Sequence, residues 1–192
     1  MSALERSWAT QRNRHEDQVQ GWRYFPSRGV RRAATVRPAS LRYWSFAPPR
    51  PWIVGVGVVV IVGYLGYWLG LDDNPPDAGT VLRFLAIVAL VLLLSITRTT
   101  VSQHGLSFDV AGIRRVSCYG FVPLGAVDDV SVGARPAGWP RGRAVTSWFP
   151  GARPVHVAYR EDDRRAVKSL WVRDPDRFGA AVLGHPLHDP SD

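Results

Sequence analysis

Cysteine occurs once in the 192 residues, as Cys118, so no intramolecular disulfide can staple the chain. Lysine also occurs once. Of the 24 basic residues, all but Lys168 are arginine, a bias that with the many Gly and Pro reads as GC-rich coding. Acid is the charge in short supply, with 16 Asp and Glu and a net charge of +8. That excess suits anionic partners without choosing among them. Nucleic acid is not expected, because no zinc-ligand spacing, helix-turn-helix or RNA-recognition pattern occurs.

Catalytic signatures are missing as well. There is no GxSxG, HExxH or GxxxxGK[ST], and Gly55-Val56-Gly57 lies inside an apolar run where it cannot cradle a phosphate. The sequence His185-x-x-His188-Asp189 has a metal-like spacing, but Pro186 and Pro190 break the helix that would bring the two imidazoles together. It reads as a solvated tail. Asp72-Asp73, Asp128-Asp129 and Asp162-Asp163 are sequence neighbours, which point apart on strands and loops, so none is a ready carboxylate dyad. Cys118 falls in an expected strand and reads as a small core residue. No enzyme, no cofactor and no metal are expected.

What the sequence does have is two long apolar runs. Residues 52–71, WIVGVGVVVIVGYLGYWLGL, hold no charge in 20 positions and eleven Ile, Val or Leu. As a helix the run reaches ~30 Å, the thickness of a bilayer's hydrocarbon core. Its β-branched content suits a strand, but buried strands rarely exceed ~10 residues, so length decides for a helix. Residues 81–97, VLRFLAIVALVLLLSIT, form a second run, interrupted only by Arg83 near one end. An Arg costs ~2.5–3.5 kcal/mol at mid-bilayer and less where it can snorkel. Twelve Val, Leu, Ile and Phe offset it. The linker DDNPPDAG, residues 72–79, cannot continue a helix, so the two runs are expected to fold back as a hairpin over 52–97.

Charge sets the orientation. Arg32, Arg37, Arg42 and Arg50 precede the first run, and Arg98, Arg114 and Arg115 follow the second, while the linker has no basic residue. By the positive-inside rule both termini are cytoplasmic in a multi-pass protein of the cell membrane. Trp52, Tyr64, Tyr67 and Trp68 suit the aromatic belts of the first span. Arg98, Arg114 and Arg115 are the expected membrane-surface contacts, available to anionic lipid headgroups. Gly63, Gly66 and Gly70 line one face of the first helix and are expected to support close helix packing, in the hairpin or with a second chain.

Residues 1–51 carry ten Arg and three acidic residues, with apolar positions (Leu4, Trp8, Val19) too sparse to bury much. A mostly disordered basic tail is expected there. Residues 98–184 read as a β domain. Short β-rich runs are expected at 98–102, 106–110, 113–119, 127–134, 144–148, 155–159 and 166–172, and 135–143 is a loop dense in Gly, Pro and Arg. Leu106, Phe108 and Val110 alternate with Ser107 and Asp109, the half-buried pattern. Asp174-Pro175-Asp176 then supplies an N-cap, a Pro at the first helical position and an acidic first turn, and Gly184 with Pro186 stops the helix. Residues 185–192 are an expected disordered tail.

This order resembles a pleckstrin-homology (PH)-like domain, a bent antiparallel sandwich closed by a C-terminal helix. The residues Gly105-Leu106-Ser107-Phe108, then Pro123-Leu124 leading into Val127-Asp128-Asp129-Val130, then Trp171-Val172-Arg173-Asp174-Pro175 carry the likeness. Over about residues 45–184 the chain resembles small actinobacterial two-helix membrane proteins of unknown function with a bacterial PH-like domain. The resemblance implies a membrane α-helical hairpin plus a mainly-β cytoplasmic domain closed by a C-terminal helix. The expected function is an interaction module tethered at the cytoplasmic face, or alternatively an accessory subunit of a membrane complex with the hairpin as contact surface. The resemblance carries over no active site.

Overall fold

Short valine-rich runs punctuated by turn residues recur after Thr97, and most of the strands form there. The computed structural model describes residues 3–20, 22–25, 29–32, 40–70, 77–111, 119–161 and 164–185. Its elements are α1 (Ala3–Gln20), β1 (Trp22–Phe25), β2 (Gly29–Arg32), β3 (Tyr43–Ala47), α2 (Pro51–Gly70), α3 (Ala78–Leu94), β4 (Thr97–Val101), β5 (Gly105–Val110) and β6 (Phe121–Pro123). A single 3-10 turn, Leu124–Ala126, leads to β7 (Val127–Val132), β8 (Arg143–Ala144), β9 (Arg153–Glu161), β10 (Arg164–Val172) and α4 (Pro175–Leu183).

Two four-stranded sheets, ordered β3-β4-β5-β6 and β7-β9-β10-β8, share one core, and β1 and β2 form a separate antiparallel ribbon. All pairings in the two sheets are antiparallel except β8 with β10. Val101, Leu106, Phe108 and Val122 face Val130, Val155, Val157 and Leu170 across the core, and Phe178, Ala181 and Val182 of α4 close it. The ring of Phe178 meets that of Tyr43 edge-on, with centroids 5.3 Å apart. The start and stop of α4 follow the expected chemistry. Asp174 accepts a hydrogen bond from the Arg177 amide, Pro175 opens the helix, and Gly184 ends it at φ 85°, where a side chain would be strained. A β domain with a C-terminal helix is therefore present, in a mixed α/β architecture with four α-helices among the described residues.

Three expectations need correction. The first is that residues 1–51 are a mostly disordered tail. Residues 3–20 form α1, which packs on β5 and β6, and 43–47 form β3, the edge strand paired with β4. Few apolar residues hold α1 because polar ones do part of the work: His15 and Gln18 are buried beside Val19. The second concerns the apolar runs. The first helix covers 51–70, and the second covers 78–94 rather than 81–97. Asp77 caps its start by accepting from the Thr80 amide, and Thr97 already belongs to a strand, where its β-branched side chain is favoured. The third concerns strands: Phe121–Pro123 pairs with β5 where no strand was expected, and β8 has two residues instead of five. The run expected at 113–119 falls almost wholly outside the described residues.

The two apolar helices are antiparallel neighbours. A methyl group at Gly57 would lie 3.8 Å from Val88 and 3.9 Å from Leu92 of α3, and the ring of Tyr64 stacks on Phe84 at 4.0 Å. Advancing along α2 thus retreats along α3. Of the two, α2 is long and apolar enough to cross a membrane, while α3 is apolar but shorter, with 17 residues. No residue of α3 is buried.

Candidate functional site

Pro48, Pro49 and Pro51 deny the chain a strand after Ala47, and Pro51 takes the first position of α2, where its missing N–H costs nothing. At the other end of the pair, Ser95 turns its hydroxyl back to the Val91 carbonyl at 2.7 Å and α3 stops. Ala47 pairs with Thr97, so α2 leaves and α3 returns at one corner of the first sheet. The end of β5 lies at the same corner, where the Ala111 amide donates to the Ile96 carbonyl at 2.8 Å. From the second sheet β8 approaches, and the Arg50 guanidinium donates to the Ala144 carbonyl at 3.2 Å.

These pieces enclose a cleft of about 300 Å³ lined by Arg50, Trp52, Leu94, Ser95, Tyr119 and Arg143, among others. The lining combines two arginines and the polar Ser95, Thr97 and Tyr119 with the apolar Trp52, Ile53, Leu94 and Val145. No acidic residue lines it among the described residues. Behind it lies the one lysine. Lys168 projects inward from β10, buried, and its ammonium donates to the Tyr119 carbonyl at 3.0 Å and sits 5.2 Å from the Phe108 ring. Burial, and then the nearby charge of Arg143, hold its pKa below the ordinary value, against a weaker opposite pull from Glu161. Gly120, at φ 110°, leaves room for that ammonium, since a Cβ there would come within 2.7 Å of it.

A second polar cluster lies on the outer face of the first sheet, beneath α1. Thr100 and Ser107 share a hydrogen bond of 2.8 Å, Ser107 donates to Asp109 at 3.0 Å, and Arg98 reaches the same carboxylate at 3.4 Å. His15 of α1 bonds Ser102 through Nδ1 at 2.7 Å and lies against the Phe121 ring. This cluster holds α1 down. Burial, then the charges of His104 and Arg98, lower the His15 pKa from 6.5 to about 4. The folded protein therefore binds fewer protons than the unfolded chain between those two values, and stability falls as the pH drops through that window. The loss approaches about 3 kcal/mol once the pH passes below both values. The melting temperature is expected to fall from pH 6.5 to pH 4, and to fall less in His15→Gln. Parallel pH profiles for the two proteins would show that His15 contributes nothing.

The expected site residues fare differently. Arg98 is buried against Asp109 and does not face a surface, because alternation along β4 turns it under α1 while Thr97 and Thr99 face the core. Arg114, Arg115 and Cys118 lie outside the described residues; of the residues on either side, Ala111 bonds Ile96 and Tyr119 lines the cleft. A Cβ at Gly63 or Gly66 would meet nothing within 4 Å, so these two do not pack on α3, and the contact runs through Gly57 instead. The side-chain surroundings of Gly70 are outside the description. His185 is exposed; His188 and Asp189 are not described. Asp128 pairs with Arg160 and Arg165, whereas Asp129 accepts from the Val130 amide, so the two carboxylates have separate partners. Sequence reading counted Arg50 only for topology and left Arg143 in a loop. Its position directly before Pro51-Trp52 marks Arg50 as a helix-base residue, but nothing local places Arg143 there, since that depends on β8 pairing with β10. Compared with known proteins, no family model matches the chain, no curated protein is significantly similar to it, and no solved structure matches it.

Proposed function

We propose that the chain is a two-span membrane protein that tethers a PH-like interaction module at the cytoplasmic face of the cell membrane, without catalysing a reaction. The observation that carries this reading is the exposure of the helical pair. Val56, Val59 and Val62 of α2 and Leu82, Ile87 and Leu93 of α3 are each more than half exposed. An apolar patch of that extent is unfavourable in water and favourable in lipid. At ~25 Å, α3 is at the lower limit for a span, a mismatch that costs only fractions of a kcal/mol per Å. Arg50, at the start of α2, lies against the β domain, in keeping with the positive-inside rule. Four strands, three further antiparallel strands and a closing helix also fit the layout of the two-helix membrane proteins with a PH-like domain that the chain resembles.

Two measurements test this. Carbonate extraction of native membranes is expected to leave the full chain in the pellet, and release into the supernatant would end the membrane reading. Tags at both ends are expected to resist protease added to intact spheroplasts, and digestion of either would reverse the orientation.

A second reading, the hairpin as contact surface of a membrane complex, is favoured by one feature. Gly63 and Gly66 face away from α3 and leave α2 a smooth side on which another helix can come close. Gly66→Leu is expected to leave the monomer's melting temperature in detergent unchanged, while Gly57→Leu, pressed against Val88 and Leu92, lowers it by several degrees. Equal effects of the two substitutions would contradict this account of the pair.

A further inference from the structure

We infer that the cleft at the base of the helical pair seats the headgroup of an anionic phospholipid, with its phosphate between Arg50 and Arg143 and its glycerol and acyl portions along Trp52, Ile53 and Leu94. The inference rests on the membrane reading and adds a ligand to it.

The charge argument comes first. Arg50 and Arg143 are exposed, and Arg143 makes no ion pair among the described residues. The Arg50 guanidinium is held at the wall by the Ala144 carbonyl, which leaves it further N–H groups to donate. Planar guanidinium groups match phosphate oxygens in pairs and bind them more strongly than neutral donors do. Lys168, buried behind the wall, adds positive potential that cannot be screened by water from its own side. The helix ends do not decide the sign. The N-terminus of α2 offers a partial positive charge and the C-terminus of α3 beside it a partial negative one, and the two offset each other. With no carboxylate in the lining, the cleft is cationic because of its arginines.

Shape and polarity then choose the occupant. A free phosphate would engage the arginines and leave Trp52, Ile53 and Leu94 wet. A volume of about 300 Å³ is at the small end for a ligand site and is enough for a headgroup with its glycerol. Trp52 and Ile53 belong to the first turn of α2 and Leu94 ends α3, which on the membrane reading puts them at the depth where a lipid changes from headgroup to chain. Tyr119 also lines the cleft, and its phenol group is a donor of the kind that ester and phosphate oxygens accept.

The test uses the full chain, purified in mild detergent and stripped of lipid. Native mass spectrometry would follow the binding of short-chain phosphatidylglycerol, short-chain phosphatidylcholine and inorganic phosphate. Phosphatidylglycerol is expected to bind at least tenfold more tightly than phosphatidylcholine, and phosphate is expected not to compete at equal concentration. In the double variant Arg50→Gln with Arg143→Gln the two lipids are expected to bind within twofold of each other. Should that variant unfold, Arg143→Lys and Arg143→Glu give the same comparison, with preference kept in the first and lost in the second. Equal binding of the two lipids by the native chain would overturn the inference. So would a preference untouched by the variants, or displacement of the lipid by phosphate alone. Each of these results, together with a carbonate-resistant chain, removes the ligand and leaves the membrane reading standing. Release of the chain by carbonate would remove both.

Discussion

Asp109→Ala is expected to destabilise the protein by about 3–5 kcal/mol, which is the usual cost of stripping one partner from a buried ion pair. The side chain of Asp109 is 0% exposed and that of Arg98 6%. Once the carboxylate is gone, the guanidinium stays trapped under α1 and Ser107 loses its acceptor. For a chain of this size the melting temperature should drop by roughly 10 °C. The cost comes from a buried charge losing its carboxylate more than from the pair itself, since desolvation already cancels much of the attraction between two buried ions. The double variant Arg98→Met with Asp109→Leu should therefore recover most of the loss. If the double variant melts as low as the single one, the cluster contributes through its hydrogen-bond network and this ion-pair account is wrong.

The second large effect is expected at Phe178→Ala, again about 3–5 kcal/mol, from lost apolar contact plus the cavity left behind. Phe178 is fully buried, and its edge-on contact with Tyr43 ties α4 to β3. The two residues come from opposite ends of the chain, one before the helical pair and one after the last strand. The variant should lose protection from hydrogen exchange over 175–183 as well as stability. Phe178→Leu, which keeps most of the volume, should cost much less. A melting temperature within two degrees of the native one in Phe178→Ala would mean that α4 is not part of the common core.

How much of this was legible beforehand depended on whether the signal was local. The cap, the opening proline and the stopping glycine of α4 were readable because Asp174, Pro175 and Gly184 act on backbone groups within one turn of themselves. The alternation Leu106-Phe108-Val110 was readable for the same reason, and these residues do face the core. Strand β6 was not readable. Three residues beginning with Phe121 carry too short a pattern, and the strand exists because β5 offers it a partner. The helix α1 was hidden for a related reason, since two of its buried residues are polar, His15 bound to Ser102 and Gln18, and such residues are not counted when apolar faces are sought. Arg98 was misplaced because nearness in sequence to an apolar run suggested a surface. Its position on β4, opposite Asp109 on β5, decided otherwise.

The sequence by itself determined that two apolar helices separated by a proline-rich linker lie between basic flanks, and that a β domain ending in a capped helix follows. Those features depend on residue type and on spacing within a few turns, so the covalent chain carries them locally. Only the tertiary structure decided that the domain begins before the helices, through the pairing of Ala47 with Thr97, and that Arg50 and Arg143 meet at one cleft. Pairing between distant strands is chosen by the joint burial of both partners, and no local pattern records which partner that is.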